Sequence, residues 1–493
     1  MIIKLSYIIQ FKYSDIYLQD MGQFIGRKDE LSVLQEFYDG SFVKAYSIIG
    51  RRQIGKTSLI DESVKDKEHV KFEFLKSSLD KNLQMIGLTM SSLTGVRKEY
   101  NSSLEFLWDL AEYIKGKKIV VVFDEFPYMV ECDESFPASV QHFIDVQLGD
   151  SKLIVSGSSI KTMKYETQDY SRPLYGRTRP LWVRQMGIRE CSVFHPQLPD
   201  IEQLKLYMAV GGVPLYHAVP GFTDFEDYVE KMILGPLSPF RNEGEDMIRR
   251  ELDHSNDIIA ILDSMRGRRT AINEISSRTG IDRNICRVRL KDMKLLGMIS
   301  EINPMWGAPK RSTYYRITDH MLSFSYLVKR NDTSYNASLS EKYKALAQLI
   351  STSRGLMFES FCADLLCASY AVRTIGSWWG EGPLLDRWGD VKRNNDGTPR
   401  IAEQDIDIAA EVMSGNNLVN LAVECKFTDY PTGFDALNEL ESAVGCIGKK
   451  RYVRKMIISP SGFTEELTRY SEENGILLVG LDMIMGRKPM PPL

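Results

Sequence analysis

The chain has 493 residues, 43% of them hydrophobic and 26% charged, with a formal net charge of −4. That length suggests about three domains of ordinary globular composition, and the near-neutral balance marks neither a nucleic-acid nor a membrane partner for the chain as a whole. Seven cysteines without a Cys-x-x-Cys pair or a Cys/His cluster argue against a disulfide framework or a zinc site and fit a reducing cytoplasm, while no run of about 18 or more apolar residues is present to span a bilayer.

The first twenty residues, "MIIKLSYIIQFKYSDIYLQD", set Lys4 and Lys12 around a short apolar stretch without a small-residue cleavage site, which makes a poor signal peptide. Met21 stands directly before "GQFIGRKDEL", so residues 1–21 read as a tail or a misassigned start. Residues 22–180 alternate apolar runs ("YSIIG", "KFEFL", "KIVVVFDEF", "KLIVSGSS") with helical stretches. Continuous apolar strands of this kind predict a parallel sheet covered on both faces. After the first strand comes Gly50-x4-Gly55-Lys56-Thr57-Ser58, the complete P-loop pattern. Its glycines let successive N–H groups wrap a phosphate, and the helix beginning near Lys56 adds its dipole. Lys56 would reach the β- and γ-phosphates of ATP, and the Thr57 hydroxyl would ligate Mg2+. The strand before "DEF" ends in Asp124 and Glu125, at the sheet edge where open α/β folds bind ligands. Asp124 would hold the magnesium, and Glu125 would polarise the attacking water. A third strand ends in small polar residues, of which Ser156 or Ser158 would sense the γ-phosphate.

In chain order, "FIGRKDEL", "GRRQIGKTSLI", "VVVFDEFPYM", "SGSSI", "PLYGR" and "GGVP" resemble the archaeal-type ATPases of the AAA/STAND assemblage over roughly residues 22–340. The resemblance implies a P-loop ATPase core over 22–180, a helical lid over 181–255 and a winged helix over 256–335. It also implies a γ-phosphate contact at Arg177, within one chain or across a subunit boundary of a homo-oligomer, the alternative there being a structural arginine. Gly212 and Pro214 look like the lid turn facing the nucleotide. Gln53 departs from the pattern, standing where a further basic residue is common.

Residues 261–330 carry 14 Lys+Arg against 6 Asp+Glu, an excess of +8 inside a net-acidic chain. "TAINEISSRTGIDRNICRVRLKDMKLLGMI" reads as helix, glycine turn, helix. Arg283, Arg287, Lys291 and Lys294 recur at helical spacing on the second helix, the footprint of a DNA-binding face, while Ile285, Val288 and Leu296 are expected in the core. Lys310 and Arg311, at the tip of a following hairpin, would reach a phosphate. The alternative is a lid or a protein contact with a solvated basic face.

From about residue 345 a long helix holds Glu359, and two strands follow. On the first, Glu403, Asp405 and Asp407 alternate with apolar or amide residues; on the second, Glu424 and Lys426 share one face and Cys425 the other. A helical Glu, an Asp, then Glu-x-Lys form the constellation of PD-(D/E)XK nucleases. Glu359, Asp407 and Glu424 would gather magnesium, and Lys426 would orient water or neutralise developing charge. The segment also resembles the C-terminal region fused to the archaeal-type ATPases, including "IGSWWG". That implies a restriction-endonuclease-like α/β domain over 345–485. An ion-paired sheet edge, with Glu424 and Lys426 satisfying each other, is the competing reading, and the whole protein would then be an ATP-dependent switch binding DNA or a protein. Trp378 and Trp379 are expected to pack in the core. The six histidines, His142 and His195 among them, are expected to be ordinary surface or core residues.

Overall fold

The computed structural model describes residues 24–40, 42–265, 269–307, 313–332, 337–385, 390–447 and 451–493. The N-terminal stretch 1–21 and the hairpin-tip cations Lys310 and Arg311 lie outside the described residues. Contacts divide the chain into two units, Met1–Glu190 with Gly212–Val219, and Cys191–Gly211 with Pro220–Leu493.

In the first unit five parallel strands form one sheet: β1 (Ala45–Ile49), β2 (His69–Glu73), β3 (Val120–Asp124), β4 (Lys152–Gly157) and β5 (Thr178–Trp182), in the order β2-β3-β4-β1-β5. Every residue of β1 and β3 is buried. A strand covered on both faces has no polar side to present, which is why "VVVF" reads as an unbroken apolar run and "AYSII" is interrupted only by Ser47. β5 escaped the sequence reading because it carries Arg179 and Pro180; as an edge strand it loses no central ladder bond to the proline. β4 lies between β1 and β3, so its C-terminal end separates the loop after β1 from the acidic pair after β3. Helix α1 (Lys56–Val64) follows the first of these and α2 (Phe126–Cys132) the second.

In the second unit, α3 (Ile272–Thr279) and α4 (Arg283–Leu295) are joined through Gly280, at φ 71°. They are followed by the antiparallel strands β7 (Ile299–Ile302) and β8 (Tyr314–Ile317), with β6 (Thr270–Ala271) pairing on β8. The buried face of α4 is Cys286, Leu290 and Met293, continued by Leu296. Ile285 and Val288, expected in the core, are instead 43% and 52% exposed. The helix carries apolar residues on two faces, and packing selects the other one.

Helix α5 (Leu339–Ser369) begins with a capping box between Ser338 and Glu341. A mixed sheet follows, of β9 (Ala371–Pro383), β10 (Ile401–Ser414), β11 (Asn417–Cys425), β12 (Val453–Ile458) and β13 (Leu477–Val479), ordered β13-β12-β11-β10-β9. Its first three strands are antiparallel, and β11, β12 and β13 run parallel. Helix α6 (Phe434–Cys446) packs on one face over Trp378, Ile406, Ala409, Ala422 and Ile457. The β9–β10 register shifts between Ile406 and Ala409, so Asp407 sits in a β-bulge and strict alternation ends there. Past β7 the chain pairs with β9, with Pro304 bridging Ser377 and the Met305 amide donating to the Ser377 carbonyl at 2.9 Å.

Candidate nucleotide site and carboxylate cluster

The loop 50–55 leaves β1 at the C-terminal edge of the first sheet. Gly55, the residue before α1, has φ 87°, the left-handed conformation that a glycine adopts without a Cβ clash. Gln53 takes the same region at φ 62° without that freedom, so this turn holds local strain. Lys56, 6% exposed, donates to the carbonyls of Gly50 and Arg51 at 2.9 and 2.8 Å. The Thr57 hydroxyl donates to Asp124 Oδ2 at 3.0 Å, which joins the start of α1 to the end of β3. Ser156 donates to the other carboxylate oxygen of Asp124, as the place of β4 between β1 and β3 allows.

Glu125 follows at φ 53°. Its carboxylate accepts from the Ser158 hydroxyl at 2.9 Å and the Ser158 amide at 3.2 Å. Gly157 lets the start of α2 lie close against β4: a Cβ there would lie 2.3 Å from Cδ of Pro127. Pro214 also belongs to this region, its Cγ 3.8 Å from where a Gly55 Cβ would stand, and Gly212 is pinned by the Met186 amide and the Gln185 side chain. Ser58 is half-buried on the first turn of α1.

Arg177 does not join this group. It precedes β5 and so stands at the N-terminal edge of the sheet, since Thr178 is level with Ala45 while Trp182 is level with Ile49. There it pairs with Asp145 at 3.1 Å. Five residues of strand, roughly 15 Å, separate it from the loop, so a γ-phosphate contact within one chain is corrected by the register.

Two groups escaped the sequence reading. Arg27, 4% exposed, donates to the Ile54 carbonyl at 2.9 Å, and its own amide donates to Glu190 at 2.8 Å, so "FIGRKDEL" supports the loop from behind. Lys71 lies 2.6 Å from Asp61 and 3.8 Å from Asp124. "FIGRKDEL" was visible as a motif, but its contact partner lies 27 residues on. A hard-oxygen pair of Thr57 and Asp124 beside a buried lysine is the donor set that magnesium and phosphate require.

In the second unit, the bulge turns Asp407 so that its Oδ2 accepts from the Cys425 amide at 2.9 Å. Glu424, 6% exposed, pairs with Lys426 at 2.8 Å, and Lys426 also reaches Glu439 on α6 at 2.6 Å. Glu359, on α5, pairs with Arg316 of β8 at 3.2 Å. Asp405 pairs with Arg269 at 2.6 Å, and that guanidinium lies 5.5 Å from the Trp379 ring. Glu403 is exposed. Burial, reinforced by the Asp407 charge, pushes Glu359 up to about 8 and Glu424 well above its usual range. Asp407 rises to about 6, mainly through burial, against the pull of the Cys425 amide. Burial alone would lower Lys426; the Glu424 carboxylate beside it more than offsets this, and the ammonium is held above its ordinary value.

These carboxylates therefore feel one another. Yet among the described residues no three His, Cys, Asp or Glu side chains are gathered as a metal-holding set. The expected joint ligation by Glu359, Asp407 and Glu424 does not fit this arrangement, because an arginine, a backbone amide and a lysine hold them separately. Trp378, at 3% exposed, lies in the core as expected, and His195 is buried at 3%.

Residues 24–216 match the profile of the family described as an ATPase domain predominantly from Archaea. An uncharacterized protein of Methanocaldococcus jannaschii is 24% identical over 377 residues, covering 74% of this chain and 83% of that protein. A second uncharacterized protein of the same organism is 38% identical over 89 residues, 17% of this chain and 84% of its own, and over that stretch the two proteins belong to one family. Among solved structures, a Walker-type ATPase of Pyrococcus abyssi aligns at TM-score 0.46 and 17% identity, over 62% of this chain and 96% of the other. Among the described residues no helix is long and apolar enough to cross a membrane. The P-loop geometry and the match to an archaeal ATPase domain meet on the same segment, residues 24–216, and the chain is an ATPase.

Proposed function

We propose that ATP binding and Mg-dependent hydrolysis in the first unit control a DNA-binding winged helix and a nuclease-like C-terminal domain in the cytoplasm. The observation that carries the ATP site is the 3.0 Å bond between Thr57 and Asp124, which joins the two halves of a magnesium ligand set. Lys56 meets the charge of the β- and γ-phosphates, and the N–H groups of 50–55 cradle them. Magnesium, when bound, spreads the charge that develops on the phosphate oxygens. Glu125 accepts the proton of the attacking water, and Ser158 fixes the carboxylate that does so.

The basic face of α4, with Arg283, Arg287, Lys291 and Lys294 all exposed, supports contact with DNA phosphates. In the C-terminal domain, Arg316 and Arg269 come from the winged helix and hold Glu359 and Asp405. We read this as the held state of the nuclease-like site, which a movement of the winged helix would release. The same ion pairs, together with Glu424–Lys426, favour a second reading in which the domain is inert and the protein is a switch.

Supercoiled plasmid incubated with protein, magnesium and ATP separates the two. The first reading expects nicking that Asp407→Ala abolishes and Arg316→Ala accelerates several-fold, with ATP turnover kept in both. Intact plasmid with wild type and Arg316→Ala alike would leave the switch.

A further inference from the structure

Beyond β7, Trp306 adopts φ 54°, a left-handed conformation that a tryptophan holds only where its surroundings impose it. The indole forms one wall of an open cavity of about 760 Å³, a size that suits a small-molecule site. Asn420 in β11, Arg451, Tyr452 and Arg454 around the start of β12, and Asn474 at the end of the helix Glu465–Asn474 complete the lining that matters. No carboxylate lines the cavity among the described residues.

The arginines differ. Arg451 lies 5.7 Å from the Trp306 ring and is tied to Asn420 at 2.9 Å and to Glu411 at 3.3 Å. The Arg454 backbone pairs with Leu421 and its charge reaches the Tyr370 phenol, but its side chain makes no hydrogen bond or ion pair among the described residues. Tyr452 turns its ring to solvent, 85% exposed. Asn420 is spent on Arg451 and the Tyr452 carbonyl, and the Asn474 amide on the Tyr470 carbonyl, so the groups left to a ligand are a fixed indole, an exposed phenol and the Arg454 guanidinium, which are complementary to an aromatic base carrying a phosphate. Rings stack on any base, and the guanidinium fork matches phosphate oxygens.

We propose that this cavity binds a nucleotide unit, its base against Tyr452 and Trp306 and its phosphate on Arg454. The site is separate from the carboxylate cluster. Asn420 pairs with Val453 at one end of the β11–β12 ladder and Glu424 with Ile457 at the other, four residues or about 13 Å away. It rests neither on ATP hydrolysis nor on cleavage. The unit can come from a single strand or from a free nucleotide, which share this chemistry.

Full-length protein is titrated with a fluorescent oligothymidylate of about 15 nucleotides, followed by anisotropy, and separately with thymidine monophosphate, followed by tryptophan quenching. The proposal expects binding of at least one probe, weakened about tenfold or more by Tyr452→Ala with Arg454→Glu, at unchanged ATP turnover. Quenching should vanish in Trp306→Phe. Oligonucleotide binding alone identifies a strand-binding site, and monophosphate binding identifies a free-nucleotide site. Wild-type affinity for both probes in the double variant, or no binding of either probe to wild type, overturns it. Arg454→Ala alone, a milder change, answers the same question if the double variant does not fold.

Discussion

Arg27 holds the phosphate loop through one bond, its guanidinium donating to the carbonyl of Ile54 while Glu30 neutralises it at 3.1 Å. Arg27→Ala would leave that carbonyl and Glu30 without their buried donor, at a cost of about 2–3 kcal/mol. The expected result is a lower melting temperature together with a raised KM for ATP, read by thermal unfolding and steady-state turnover. An unchanged KM would make Arg27 a merely structural residue. This scale also divides what the sequence tells from what it hides. Gly50, Gly55, Lys56 and Thr57 are legible because their spacing encodes a local backbone path and its chemistry together. The Arg27–Ile54 bond is tertiary, and so is the ion pair that takes Arg177 to Asp145. Nothing in "PLYGR" announces that its arginine stands at the edge of the sheet opposite the loop.

At the scale of elements, α4 presents Arg287, Lys291 and Lys294 on an exposed face together with Ile285 and Val288. If that face meets DNA, log affinity falls linearly with log salt, with a slope of about −0.9 per phosphate neutralised. Arg287→Glu with Lys291→Glu should then weaken duplex binding and flatten the slope by about two; the same slope before and after would remove α4 from the interface. The phase of this helix is not legible in the sequence because apolar residues fall on two of its faces, and only the tertiary packing that buries Cys286, Leu290 and Met293 chooses between them. The β9–β10 bulge is equally hidden, since an alternating pattern carries no mark of the extra residue at Asp407. His320 supplies a pH test of the second unit. Burial holds it below its ordinary value, against the pull of Asp319, with its Nδ1 3.2 Å from the Met208 carbonyl. The unfolded chain therefore binds a proton that the folded chain refuses, so stability rises with pH through this window and is lost below the unfolded value of about 6.5. Chemical denaturation at about pH 7 and about pH 5 should show a loss that His320→Gln reduces; an equal loss in both proteins would assign it to other groups.

For the molecule as a whole, an ATPase unit precedes a second unit in which helix pair, small sheet and mixed sheet are linked by Arg316–Glu359, Arg269–Asp405 and the Pro304–Ser377 bridge. The order of these parts was visible in composition and charge, with the basic excess over 261–330 standing out from the acidic chain. The contacts that tie the basic segment to the carboxylates were not, because each arginine is far in sequence from the acid it meets. The account depends first on nucleotide held by the loop after β1, and titration calorimetry with ATP and magnesium on folded protein tests it most directly. Saturable heat in wild type that disappears in an equally folded Lys56→Ala is the predicted result. Equal heat in both proteins, or none in wild type, would contradict it.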